Sequence, residues 1–316
     1  MRWTALVFCA ACASPAPGTD AGRPDASTMD AQVADASTMD AQAADASTPD
    51  ARASEDAAAD SAPPPACDPS QAFAFASFGG LATGLDELVV LPTPDLLSVY
   101  VTRNTSGNFD VYFHTRATLD ADFGAAGEVA ELNTAGDDVL SWLSPDRLTA
   151  YLTRAGDIAV ATRASASAPF GAPVVVADVS GTGNDIDPFL ARSGTLYFAS
   201  DRGGDFALYS AAPAAGGRFA TPVLIGELDT GAAEVRPVLT DDERTIYFTR
   251  AGVLLSAARD SRLMPFGSAG ARPDLVSEPN STTLVSWVSG DGCRLVLTTD
   301  GIVGPAGLEP FLFLKP

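Results

Sequence analysis

Five stretches of this chain are versions of one another, and that repetition limits the fold more than any single residue does. The segments are "TPDLLSVYVTR" (93–103), "SPDRLTAYLTR" (144–154), "ARSGTLYFASDR" (191–202), "TDDERTIYFTR" (240–250) and "SGDGCRLVLTT" (289–299). They align on Tyr100, Tyr151, Tyr197, Tyr247 and Val296, with spacings of 51, 46, 50 and 49 residues. A near-constant period of about fifty marks an architecture in which one supersecondary unit is copied and stacked.

Each unit has the same internal order. An apolar strand comes first, as in "VLSWL" (139–143) and "LVSWV" (284–288), followed by a polar turn with Pro, Asp or Gly. An alternating strand such as "TIYFTR" follows, then a Gly-containing turn ("SGNFD", "AGD", "RGGDF", "AGV") and a third strand such as "DVYFHTR" (110–116) or "DIAVATR" (157–163). A Phe then opens a fourth segment: "FGAAGEVAEL", "FGAPVVVADV", "FATPVLIGEL". Four antiparallel strands per fifty residues, repeated around a ring, predict an all-β β-propeller. The count is five blades, or six if one unit is cryptic. At the ends, "FGGLATGLDE" (78–87) reads as a fourth strand without its first three, and "LEPFLFLKP" (308–316) as a third strand without its fourth. The N-terminal strand is therefore expected to complete the last blade and remove the open sheet edges.

The strings "SPDR…AYLTR" and "LYFASDRGGDFALY" resemble the TolB-type propeller repeat, in which Ser-Pro-Asp-Gly precedes a Tyr-Phe strand and then Ser-Asp-Arg-x-Gly. The resemblance covers about residues 78–316. It implies a fold rather than an activity, because its residues build turns and blade cores.

Before residue 67 the composition changes. "MRWTALVFCAACAS" joins one Arg to an apolar run too short to span a bilayer, the pattern of an export signal over residues 1–11. Cys12 follows two alanines and resembles the lipidated cysteine of a bacterial lipoprotein; an ordinary secreted protein or a mis-assigned start are the alternatives. From 12 to 66 the chain is Ala, Asp, Ser, Thr and Pro, with Asp-Ala recurring every five residues from 20 to 50. That period fits neither helix nor strand, so the segment is expected to be a disordered tether with a span of roughly 40 Å. Its composition resembles the tethers behind lipoprotein signals in myxobacteria. It holds ten acids against three arginines, out of a chain total of 40 against 19. A net charge of −21 argues against nucleic acid as a partner. An outer-membrane, periplasmic or cell-surface location is expected, with membrane attachment through the lipid alone.

Four cysteines are present. Cys9 and Cys12 belong to the signal; Cys67 precedes the closing strand and Cys293 lies in the blade which that strand joins. A Cys67–Cys293 disulfide is therefore expected across the point of closure. His114 is the sole histidine and is read as a packing residue on a third strand. No phosphate loop or dinucleotide motif appears, and no cofactor is expected. One carboxylate column stands out: Glu87, Asp138 and Glu234 lie eight residues before their turn Asp, and Asp185 fills the same place with slippage, while Thr283 replaces the acid in the last repeat. Innermost strands line a propeller's channel, so these acids could bind a cation, act as paired carboxylates on a glycoside, or accept backbone N–H bonds between blades. Trp142 and Trp287 share an inner-strand position and read as packing, with a sugar platform as the alternative. Three functions follow: a non-catalytic module binding an envelope protein, glycan or other ligand; a five-bladed carbohydrate-active enzyme; or a structural envelope protein.

Overall fold

Period-two segments rich in Val, Leu, Ile, Tyr and Phe form strands where the repeat places them. The computed structural model describes residues 67–68, 71–76, 78–81, 83–105, 107–275, 281–300 and 308–315. The expected signal, Cys12 and the tether lie outside the described residues. Among the described residues twenty strands assemble into five antiparallel four-stranded sheets. Blade one holds β2 (Glu87–Pro92), β3 (Ser98–Asn104), β4 (Phe109–Thr115) and β5 (Gly127–Glu128). Blade two holds β6 (Asp138–Leu143), β7 (Thr149–Arg154), β8 (Asp157–Thr162) and β9 (Val174–Val175). Blade three holds β10 (Asp185–Leu190), β11 (Leu196–Ser200), β12 (Ala207–Ala211) and β13 (Val223–Leu224), and blade four β14 (Glu234–Leu239), β15 (Thr245–Arg250), β16 (Val253–Ala258) and β17 (Gly270–Ala271). The last blade is β18 (Thr283–Val288), β19 (Arg294–Thr299), β20 (Glu309–Leu314) and, from the other end of the chain, β1 (Ala74–Ala76). Each inner strand touches the inner strands of two neighbouring blades, and β18 touches β2, so the ring is closed with five blades.

The second strand shows why both faces of a sheet are apolar. Along β15, Ile246 and Phe248 enter a cluster with Tyr197 and Leu208 of blade three. Tyr247, one step out of phase, enters a cluster with Val285 and Leu295 of the last blade. Alternate side chains thus bury against opposite neighbours, which supplies the stability that a lone four-stranded sheet lacks. The turn before this strand uses side chains in place of backbone partners. In blade two, Ser144 Oγ accepts the N–H groups of Leu148 and Thr149, Asp146 accepts Leu148 N–H, and Arg147 takes φ 64°.

Closure is made by Ala74–Ala76, which pairs antiparallel with Leu312–Leu314, and not by residues 78–81. The Phe-Gly string misleads here. Phe123, Phe170 and Phe266 precede their outer strands and lie under the guanidinium groups of Arg116, Arg163 and Arg259 at 4.6, 4.2 and 4.3 Å. Phe78-Gly79 instead follows the outer strand. Gly80, at φ 83°, belongs to a turn packed on blade one, where Gly79 C=O accepts Phe123 N–H and a Cβ on Gly79 would stand 2.0 Å from Asp122 Oδ1. Cys67 and Cys293 form a disulfide, with Cα atoms 5.9 Å apart, beside this closing strand.

Candidate functional site

The four acids of the carboxylate column occupy one place in their blades. Each begins its inner strand and is essentially inaccessible to solvent. Each meets an arginine from the end of the second strand: Glu87 with Arg103 at 2.8 Å, Asp138 with Arg154 at 2.5 Å, Asp185 with Arg202 at 2.5 Å, and Glu234 with Arg250 at 2.7 Å. The same arginines donate to the carbonyls of Leu81, Leu132, Val179 and Leu228, at the entry to each blade. Thr83, Thr134 and Thr230 hydroxyls, and Gly181 N–H, also donate to the carboxylates, while Glu87 Oε2 and Glu234 Oε2 have no partner among the described residues. These acids therefore lie in separate arginine pairs and not on an open ring. In the last blade Thr283 Oγ1 and Thr299 Oγ1, 3.0 Å apart, take the place of acid and arginine. Among the described residues no group of three His, Cys, Asp or Glu side chains is arranged to hold a metal ion.

The cavity lies one step further along the inner strands. Leu88, Val139, Ile186, Val235 and Leu284, the second residue of each, face it and form an aliphatic collar of one side chain per blade on the ring axis. Its volume is about 450 Å³. Thr134, Asp137 and Asn108 stand at its rim with the small residues Ala135, Gly136, Ala155, Gly156, Ala251 and Gly252. Inside are Asp187 and Arg236, the third inner-strand residues of blades three and four, both buried. Blades one, two and five have Val89, Leu140 and Val285 there.

Asp187 and Arg236 sit on strained backbone. Both are left-handed, with φ of 54° and 58°, and both precede a proline, Pro188 and Pro237. That conformation is unfavourable for a residue with a Cβ and suits pre-proline residues poorly. Proline inside a strand also removes a ladder bond; the pairing of inner with second strand slips by one residue in all five blades, and in blades three and four the slip falls at these prolines. Burial pushes the Asp187 carboxyl above the usual range, although the Arg236 guanidinium and Arg236 backbone N–H both oppose this. Burial lowers Arg236 in turn, against the pull of Asp187. At the rim, burial raises Asp137, which accepts Phe109 N–H at 2.9 Å. The signal in the sequence was present: a charged residue before Pro in "DIDPFL" and "EVRPVL", where sister strands are aliphatic.

Other singled-out residues lie away from the cavity. Trp142 packs edge-on against Tyr151, with ring centroids 5.8 Å apart, and Trp287 packs against two core clusters. His114 is buried, with Nδ1 2.9 Å from Gly124 O. Between blade five and blade one a second pair of acids is buried. Glu87 N–H donates to Leu308 C=O, which places Glu309 at the junction. One oxygen of each carboxylate, Glu87 Oε2 and Glu309 Oε1, has no hydrogen-bond partner among the described residues. Glu87 is pushed up to about 7, mainly by burial; Thr83 and Arg103 oppose the shift and Glu309 adds to it. Burial also raises Glu309.

No protein-family model matches the chain, and no curated protein matches it in sequence. Solved structures do match in shape. The catalytic domain of an α-L-arabinofuranosidase from Coprinopsis cinerea superposes with a TM-score of 0.51 at 13% identity, over 78% of this chain and 97% of that one. An α-L-arabinofuranosidase of Podospora anserina, solved with cellotriose, gives 0.50 at 14% identity over 80% and 98%. A TolB-like structure from Agrobacterium tumefaciens gives 0.42 at 15% over 61% and 66%. At such identities the likeness is one of fold: the chain is a five-bladed β-propeller.

Proposed function

We propose that this chain is an exported, lipid-anchored binding protein that takes the end of a glycan into its axial cavity without cleaving it. The supporting observation is the cavity itself, with a buried Asp187–Arg236 pair held on strained backbone under an aliphatic collar. Strain of this kind persists where surrounding structure enforces it, and it clusters at ligand sites. Concave, largely apolar pockets with a few convergent polar groups are the usual form of a small-ligand site. Glycan as the ligand class is favoured by the two propellers of similar shape, an arabinofuranosidase domain and an arabinofuranosidase holding cellotriose. Binding without cleavage is favoured because the four inner-strand acids are each engaged by an arginine. Anchorage through Cys12 and a span of acidic tether would hold the ring clear of a membrane. Calorimetric titration of the full chain with an oligosaccharide panel tests this: saturable binding that Asp187→Ala weakens at least tenfold, with no new reducing ends, is the expected result. Absence of binding to every glycan would sink it.

A hydrolytic reading has one specific observation in its favour. Asp137 and Asp187 face the same cavity, and burial raises both, as an acid catalyst near neutral pH requires. Product release abolished by Asp187→Asn and by Asp137→Asn would establish it.

A further inference from the structure

We infer that the axial cavity selects a neutral, hydroxyl-bearing ligand, holding one hydroxyl between Asp187 and Arg236 and discriminating against charged ligands. This deepens the glycan-binding proposal above and rests on it.

The geometry is a gap. Arg236 Nη2 stands 3.9 Å from Asp187 Oδ1, which is too long for a direct hydrogen bond. Both groups are fixed from behind. Arg236 Nη1 donates to Leu88 C=O at 3.0 Å, so the guanidinium cannot swing toward Asp187 without giving up that bond. Asp187 N–H donates to Thr153 Oγ1 at 3.0 Å, and the carboxylate accepts Arg236 backbone N–H. Pro188 and Pro237 stiffen the following positions. An oxygen atom placed about 2.8 Å from both groups would see them at roughly 90° to each other, within reach of a hydroxyl's donor and acceptor directions. A hydroxyl donates to the carboxylate and accepts from the guanidinium with the same atom. A ligand carboxylate meeting Arg236 would crowd Asp187, and a ligand ammonium meeting Asp187 would crowd Arg236. In either case attraction is offset by repulsion across a comparable distance.

The rest of the cavity agrees with a neutral body. Leu88, Val139, Ile186, Val235 and Leu284 offer C–H surface and no countercharge. The charged rim groups have partners already: Arg154 binds Asp138 and Leu132 C=O, and Asp137 accepts Phe109 N–H. At Gly107 a Cβ would meet nothing within 4 Å, so the mouth is open on that side.

The test is titration calorimetry of the full chain against three matched sets: neutral oligosaccharides including cellotriose, the same chains ending in a uronic acid, and the same chains ending in an amino sugar. Neutral ligands are expected to bind at least tenfold more tightly than either charged set. In Asp187→Asn the preference should shift toward the uronic acid, and in Arg236→Gln toward the amino sugar. Melting curves confirm that the variants are folded, and the wild-type comparison stands without them. Charged ligands binding the wild type as tightly as neutral ones, or a preference unmoved by either substitution, would overturn the selectivity while leaving glycan binding intact. Failure of all three sets to bind would overturn both.

Discussion

At the scale of single residues, the buried acid–arginine pair is the unit repeated in four blades. Asp138 is inaccessible and Arg154 is its cationic partner. Arg154→Ala should destabilise the protein by about 3–5 kcal/mol, because it leaves a buried carboxylate uncompensated. Removing both charges should cost much less. Blade five already does so, since Thr283 and Thr299 bond to each other in the places of acid and arginine. Asp138→Thr with Arg154→Thr is therefore expected to recover most of the loss, and urea denaturation of the three proteins decides it. If the double variant is as unstable as Arg154→Ala, the pair contributes more than mutual neutralisation. A smaller effect is expected at Arg147, held at φ 64° in the turn where blades three and five use Gly194 and Gly292 at positive φ. Arg147→Gly should raise stability by up to about 1 kcal/mol, as relief of left-handed strain exceeds the entropy lost. The acid column was legible as a spacing, but its partners were not recognised. In every blade with an acid, an Arg closes the second strand sixteen or seventeen residues later, and the blade with Thr283 has Thr299 there. That internal covariation held the pairing.

At the scale of elements, the inner three strands of each blade were legible in extent, whereas the fourth was legible in blades one to three only as a segment longer than the strand it holds, and was misplaced where it closes the ring. Strands such as Thr245–Arg250 bury alternate residues against two neighbours, so their pattern is dense and ordered. The outer strands are two or three residues long and mostly exposed, so packing writes little into their sequence. Hence the closing strand was expected within 78–87 and lies at Ala74–Ala76, with Leu81 as the counterpart of Leu132, Val179 and Leu228. A three-residue strand gives the closure few backbone bonds, and the disulfide supplements it. Cys67 and Cys293 are 226 residues apart, and cross-linking so long a loop is worth about 5 kcal/mol by chain entropy. Cys293→Ser should lower the unfolding free energy by an amount of that order, measured by denaturant titration with and without reductant. Reductant should then have no further effect on the variant. A loss below about 1 kcal/mol would mean that the paired strand closes the ring unaided.

At the scale of the whole molecule, acidity and ring closure meet at one junction. Opposite Arg103, Arg154 and Arg250 the third strand carries Asp110, Asp157 and Val253, blade three has Ala207 opposite Ser200, and the last blade has Glu309 opposite Thr299. Asp110 and Asp157 are half-buried, whereas Glu309 is buried and acts on a buried Glu87. The axial site escaped sequence reading for a related reason. Every blade slips by one residue along its inner strand, and only in blades three and four does the slip hold a charged residue before a proline, a pair that the aliphatic sister repeats do not announce. The sign of the junction's pH dependence follows from linkage. Glu87 has a folded pKa of about 7 against an ordinary 4.5, so the folded state holds its proton more tightly than the unfolded state does. Stability is then full below about 4.5 and is lost as pH rises toward 7. Asp95 and Asp274, whose folded pKa values lie below the ordinary 3.8, act the other way: their contribution is present above that value and fades in stronger acid. A net charge of −21 at pH 7, with an isoelectric point near 4.1, adds self-repulsion that also eases on acidification. The protein should therefore be most stable near pH 4–5. Unfolding free energies measured every half unit from pH 4 to pH 8 should decline across 4.5 to 7. Glu309→Gln removes one of the two junction acids and should flatten that decline, while a surface change of equal charge such as Asp260→Asn should not. Parallel curves for wild type and Glu309→Gln would show that Glu309 adds nothing to the decline, leaving the burial of Glu87 and diffuse surface charge as its sources.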